Sequence, residues 1–336
     1  MPGNKKRGKS SIVFSDPPVI SSWASIVGPK EGEGPWGSDF DQKLPDYLFG
    51  ETTWEKAECK MLREAVSLAL NKNSIDPMYV DVMLAGDLLN QTISSNYAAR
   101  DLKIPYLGIY GACSTMAEGL LMSAMMVDGG FFSRTVAATC SHHHTAERQF
   151  RFPTEQGVQP SPSSQWTATA AGAVVVEKVG MGPKITAATV GQVIDMGMTD
   201  MADMGSAMAP AAADTIKTHL EDLGRSTEYY DLIVTGDLGK VGMALAEQLF
   251  VKYGLAPKPN YSDCGVLLYD ENQDVDSGGS GCGCSAAMLC GPLLKKLREG
   301  EINKLLLVAT GALMSPTSVY QGEHIPTIAH AVAIEM

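Results

Sequence analysis

No stretch of the 336-residue sequence is apolar for long enough to cross a bilayer as a helix. The most apolar segment, from Gly119 to Val127, is closed by Asp128 and by glycines, well short of the roughly 18 residues a membrane span requires. Basic residues are also scarce: 26 Lys and Arg stand against 38 Asp and Glu, a net charge of −12. A chain with so little positive charge to cluster is poorly suited to phosphate backbones, which argues against nucleic acid as a partner. A secretory leader is not expected either, because the basic start at Lys5, Lys6, Arg7 and Lys9 runs into 12–20, which Ser15, Asp16, Pro17 and Pro18 interrupt. Those four charges read as a solvated tail or as an attraction to an anionic membrane surface. Seven cysteines, an odd number scattered through a long acidic chain, read as reduced thiols in a reducing compartment, not as a disulfide framework. What the sequence does have is apolar content: 45% hydrophobic residues suffice for a buried core.

The chain also repeats itself. Asp81-Val82-Met83-Leu84-Ala85-Gly86-Asp87-Leu88 recurs as Asp231-Leu232-Ile233-Val234-Thr235-Gly236-Asp237-Leu238, 150 positions on. Gly111-Ala112-Cys113-Ser114 returns as Cys282-Gly283-Cys284-Ser285 and Val136-Ala137-Ala138-Thr139 as Leu307-Val308-Ala309-Thr310, both 171 positions on. Ala173-Val174-Val175-Val176-Glu177 matches Ala331-Val332-Ala333-Ile334-Glu335 at 158. Order is preserved throughout, so the chain reads as a duplication with insertions, one half over 1–182 and the other over 183–336, together one unit.

Short β-branched runs such as 80–85 and 135–139, bounded by Gly, Asp and Ser, predict buried strands. Between them lie helical patterns. Trp54, Ala57, Met61, Ala65, Leu68 and Ala69 recur at three- and four-residue steps, predicting a helix over 53–70, and 214–223 ending at Gly224 predicts its second-half counterpart. Alternating strands and helices imply parallel sheets covered on both faces. Two such halves sharing one helical layer give a five-layer α/β/α/β/α sandwich with a pseudo-twofold, although periodicity alone does not separate it from a doubly wound sheet.

Gly111-Ala112-Cys113-Ser114-Thr115, a cysteine at a strand end opening a helix of small residues in a duplicated chain, resembles the thiolase superfamily, including the ketoacyl synthases. The fold implied is thiolase-like. Longer strings, 84–91, 145–151, 203–210 and Asp237-Leu238, resemble the stage V sporulation protein AD family. That resemblance implies binding of dipicolinic acid (pyridine-2,6-dicarboxylate) in concert with other, membrane-embedded stage V sporulation proteins that load it into the developing spore. It also implies a place at the spore inner membrane as a peripheral component. Thiolase-like proteins are often dimers, but no strand in this sequence demands one.

In a thiolase-like acyltransferase a His activates the Cys, and a second-half His or Asn completes the oxyanion hole. Ketoacyl synthases carry that His after the strand equivalent to 231–235, where this chain has Gly236-Asp237, and their Asn in a turn that aligns with 281–285, where it has Cys and Gly. Loss of a general base typically costs 10²-fold or more in rate, so the sequence predicts a non-enzymatic binding scaffold. A divergent acyltransferase using Cys113 is the alternative. For binding, Cys113 and Ser114 at the N-terminus of a helix over 114–127 are expected to hold a carboxylate through the positive end of the helix dipole. Ser141 and His142, at the end of the neighbouring strand, are expected to reach the same pocket mouth. Arg148 and Arg151 are each expected either to grip a carboxylate bidentately or to form an ion pair with Glu147 or Glu155.

No metal or cofactor is expected. Adjacent residues His142-His143-His144 would point to opposite faces in an extended segment, and Cys282, Cys284 and Cys290 lack the spacer of common zinc sites. Gly278-Gly279-Ser280-Gly281 has no following Lys and Ser or Thr, so it reads as tight packing and not as a phosphate cradle. Met196, Met198, Met201, Met204 and Met208 read as a pliable packing surface, or as a pocket lid or partner face.

Overall fold

The computed structural model describes residues 5–150, 160–255 and 259–336. Its principal strands are β1 (Val19–Val27), β2 (Val82–Gly86), β3 (Tyr106–Gly108), β4 (Arg134–Ser141), β5 (Ala170–Glu177), β6 (Lys184–Thr189), β7 (Leu232–Thr235), β8 (Tyr261–Asp263), β9 (Lys304–Ala312) and β10 (Thr327–Glu335). Its principal helices are α1 (Trp54–Lys72), α2 (Ile93–Leu102), α3 (Thr115–Asp128), α4 (His143–Phe150), α5 (Met204–Leu223), α6 (Gly239–Lys252) and α7 (Cys282–Met288). Side-chain caps set several boundaries. Thr53 accepts from Lys56 N–H at 3.3 Å to open α1. Asp203 accepts from Ser206 N–H at 3.2 Å to open α5, which therefore begins ten residues before the predicted 214 and carries Pro210 inside it.

The strands follow the duplication. The first half is ordered β3-β2-β4-β5-β1 and the second β8-β7-β9-β10-β6, with each strand matched to its equivalent. β2 runs parallel to β4 with Val82 opposite Thr135, and β7 parallel to β9 with Leu232 opposite Leu305. The same turn enters each pair: Asp81 accepts from the backbone N–H groups of Ser133 and Arg134 at 2.7 and 2.9 Å, and Asp231 from those of Asn303 and Lys304 at 2.7 and 3.0 Å. The half-sheets join between β1 and β6 through one register pair, Val19 with Lys184. Farther along β6, residues 187–189 pair instead with Ser11–Val13. That segment is itself paired with Lys6–Arg7, and Lys5 meets Asp128 at 2.8 Å. The basic start is thus a docked hairpin and not the solvated tail its composition suggests.

Three helical layers complete the sandwich. α1 packs on β1, β4 and β5, and α5 on β9 and β10, covering the two outer faces, while α3 lies between the sheets, touching β2 and β4 on one side and β9 and β10 on the other. The middle core contains Met116, Leu120 and Ala124 of α3, Ala286 and Met288 of α7, and Val174, Leu307 and Val332 from the sheets. Each large aliphatic side chain buried there contributes about 1.5–3 kcal/mol. α7 can approach β5 because position 172 is glycine: a Cβ there would lie 2.7 Å from the Ala286 carbonyl oxygen.

Candidate functional site

After β3 the chain turns at Gly111 and Ala112 into α3. Ala112 adopts a left-handed conformation, φ 50°, sparsely populated for a residue with a Cβ. The turn is locked by its own hydroxyls: Ser114 donates to Gly111 O at 2.6 Å and Thr115 to Ala112 O at 2.6 Å. From the other half, β9 presses on this loop at Gly311, where a Cβ would lie 2.2 Å from Gly111 O. Cys113 emerges at the junction, buried, in a cluster with Leu88, Ala112 and Cys282 against which Phe150 and Leu313 pack.

Above Cys113 lies a cleft of about 420 Å³ walled by both halves. The loops after β2 and β3 supply Leu88, Gln91, Ile109 and Tyr110; the end of α4 supplies Gln149 and Phe150; the second half supplies Met204, Ser280, Met314 and Ser315. Among the described residues the polar lining is neutral: Asn90, Gln91, Thr92, Gln149, Thr167, Ser280 and Ser315. One wall is braced by buried Asp87, which accepts from Leu89 N–H at 2.9 Å and from the N–H and hydroxyl of Ser95 at 2.8 and 2.7 Å.

Asp237, the repeat counterpart of Asp87, sits against Cys113. The Asp237 carboxyl accepts from Thr310 Oγ1 at 2.7 Å, Gly281 N–H at 2.9 Å and Ser280 Oγ at 3.3 Å. Burial pushes the Cys113 thiol well above its ordinary range, and the negative charge of Asp237 pushes it further the same way. Cys113 is therefore a protonated thiol and not a thiolate. Burial raises Asp237 as well, against the lowering effect of its donors.

Of the expected ligand-binding residues, Cys113 lines the cleft, while Ser114, Ser141, His142 and Arg148 are not part of its lining. The Ser114 hydroxyl turns inward to Gly111. Ser141 donates to Ala168 O at 2.7 Å and accepts from Gly283 N–H at 3.1 Å, which braces α7 behind the cleft. His142 donates from Nε2 to Tyr47 O at 2.8 Å and accepts at Nδ1 from His144 N–H at 3.2 Å; burial lowers it to about 4, so it is neutral. Arg148 is exposed and paired with Glu55, with its guanidinium 5.1 Å from the Trp54 ring, while Glu155 lies outside the described residues. Arg151 lies outside the described residues.

The remaining motifs resolve as packing. Cys282 donates to Cys140 O at 2.9 Å, and Cys284 is buried near Gly236 O. Gly279–Ser280 pairs in parallel with Trp166–Thr167. Met196 is exposed, Met198 and Met201 pack on the outer core, Met204 lines the cleft and Met208 is buried. Among the described residues no group of three or more His, Cys, Asp or Glu is placed to hold a metal ion.

Solved structures with this architecture include 3-oxoacyl-[acyl-carrier-protein] synthase III of Aquifex aeolicus VF5, at TM-score 0.60 and 14% identity, covering 95% of this chain and 100% of that one. They also include cerulenin-bound OleA of Xanthomonas campestris, at TM-score 0.65 and 13% identity, covering 97% and 100%. These likenesses define the class of the fold as thiolase-like. At the sequence level, the description "Stage V sporulation protein AD (SpoVAD)" matches residues 8–335. The Stage V sporulation protein AD of Bacillus subtilis (strain 168) is 49% identical over 331 residues, covering 98% of each chain. The chain belongs to the stage V sporulation protein AD family.

Proposed function

We propose that the protein binds dipicolinic acid in the cleft above Cys113 without chemical turnover and presents it for uptake into the developing spore. The observation that carries this reading is the burial of Cys113 in the cleft with the Asp237 charge acting on it, both of which raise its thiol. A nucleophilic cysteine needs a base or a cation that draws off its proton. Here a buried carboxyl follows the strand after which the resemblance implies a His, and its negative charge disfavours the thiolate. The acyltransferase position becomes a donor at a helix end. The walls formed by Leu88, Ile109, Phe150 and Met314 suit one flat ring. Neutral amides and hydroxyls at the rim, with the N-terminal end of α3, suit its carboxylates.

The ligand itself is taken from the family resemblance, as are the membrane-embedded stage V partners and a peripheral place at the spore inner membrane. Among the described residues no helix is long and apolar enough to cross a membrane, so on this reading the partners supply the spanning segments. Titration calorimetry with pyridine-2,6-dicarboxylate is expected to give saturable binding, weakened about fivefold in Cys113→Ala by loss of one hydrogen bond. Intact-mass analysis after incubation with acyl thioesters is expected to show no adduct. An acyl group on Cys113 would instead establish the acyltransferase reading.

A further inference from the structure

The three consecutive histidines sit in a column of rings at the start of α4. The His144 ring stacks on Trp54 of α1 at 4.5 Å and 27°, with Tyr47 edge-on at 4.8 Å. His143 stacks on Trp166 at 3.5 Å and 4°, and Lys30 Nζ lies 3.8 Å from the Trp166 ring centre. The next residue, Thr145, donates to the buried carboxyl of Glu58 at 2.6 Å. The other end of the same eight-residue helix is Gln149 and Phe150, which line the cleft, and Phe150 packs on the Cys113 cluster. Two helical turns span only about 12 Å, so a shift of the first turn is carried to the last.

We infer that His144 is a positioning residue for the cleft: the stack of its ring on Trp54 fixes the first turn of α4 and so sets where Gln149 and Phe150 stand beside Cys113. The inference takes its ligand, and nothing else, from the function proposed above. A consequence is sensitivity to acid. The groups that face His144 are His142, His143 and Arg148 of its own segment, Tyr47 from the preceding loop, and Trp54 of α1; Glu55 of α1 is paired to Arg148. Burial, and then the Arg148 charge, lower the His144 pKa. A cation–π gain from protonating His144 against Trp54 would have to compete with the Arg148 guanidinium already over that ring. Protonation therefore works against the clamped arrangement, and ligand affinity is expected to fall as pH drops below the ordinary histidine range of about 6.5.

The test compares His144→Ala and His144→Phe with the parent chain, each checked for fold by circular dichroism. Two readouts are taken: calorimetric affinity for pyridine-2,6-dicarboxylate between about pH 7.5 and 5.5, and the rate of Cys113 alkylation by iodoacetamide without ligand. His144→Ala is expected to weaken binding about tenfold and to speed alkylation. His144→Phe, which keeps a stacking ring without a titrating nitrogen, is expected to restore both at neutral pH and to flatten the pH profile. Parent-like affinity and alkylation in His144→Ala would overturn the inference, as would a parent-like pH profile in His144→Phe. If the parent chain does not bind the dicarboxylate, the ligand reading fails by itself, and the alkylation rates still decide the role of His144.

Discussion

A carboxyl whose charge acts on a buried thiol determines what Cys113 can do. If the charge of Asp237 helps hold that proton, Asp237→Asn lowers the thiol pKa while its one amide oxygen still accepts from Gly281 N–H and its NH2 donates to the Thr310 hydroxyl. Cys113 alkylation at about pH 8 is then expected to rise about tenfold, followed by peptide mass spectrometry; an unchanged rate would place the cause in burial alone. Histidines supply a second prediction at this scale. Burial lowers His142 and His330 from 6.5 to about 4 each. Between those values the unfolded chain binds the proton and the folded one does not, so these two residues withdraw stability as pH falls through that window, about 3 kcal/mol each at the limit. Asp263 acts with the opposite sign, because burial raises it to about 7. The direct check is NMR titration of the imidazole C–H resonances, expected to move near 4, with midpoints near 6.5 as the contrary result. Cys113 was legible in the sequence because its motif ties a strand end to a helix start. Ser141 and His142 were placed at the pocket mouth on the assumption that neighbouring strand ends face one way. The chain instead turns directly into α4, and the carbonyls of Ala168 and Tyr47 capture both side chains.

Elements meet here through glycines whose missing Cβ is a packing requirement. Gly311→Ala would set a methyl 2.2 Å from Gly111 O, backbone against backbone, with no flexible atom to yield. A loss of about 2–4 kcal/mol is expected from urea unfolding. Gly130→Ala, at φ 76° with nothing within 4 Å, carries only the conformational penalty of about 1–2 kcal/mol. Equal losses would mean that the contact of β9 with the Cys113 loop relaxes freely. Helix α1 was legible from its spacing. The start of α5 was not, because a methionine-rich stretch at 196–208 lacks the polar face that marks an amphipathic helix: Met204, Ala207 and Met208 are buried against the outer core and the cleft.

Across the whole molecule the duplication was readable because Asp81 and Asp231 perform the same task, each tying a strand entrance to the turn before its parallel neighbour. Asp81→Asn and Asp231→Asn are expected to destabilise to a similar extent, about 1–3 kcal/mol each, and additively in the double variant because they lie in opposite halves. Denaturant midpoints would show a failure of symmetry directly. The cleft was not readable in the same way. Its lining runs from Leu88 to Pro316 on separate loops, and a period along the chain carries no information about which loop tips converge. The amino-terminal strand poses a problem of timing. Ser11–Val13 pairs locally with Lys6–Arg7 but finds its partner in the sheet only at 187–189, and Phe14, 3% exposed in the finished fold, donates its N–H to Thr186 O. At roughly 5–20 residues per second the ribosome needs about 10–35 s to deliver that partner. Ile12 and Phe14 spend the interval without their permanent cover, so translation speed through the first half sets how long this segment is open to wrong pairings.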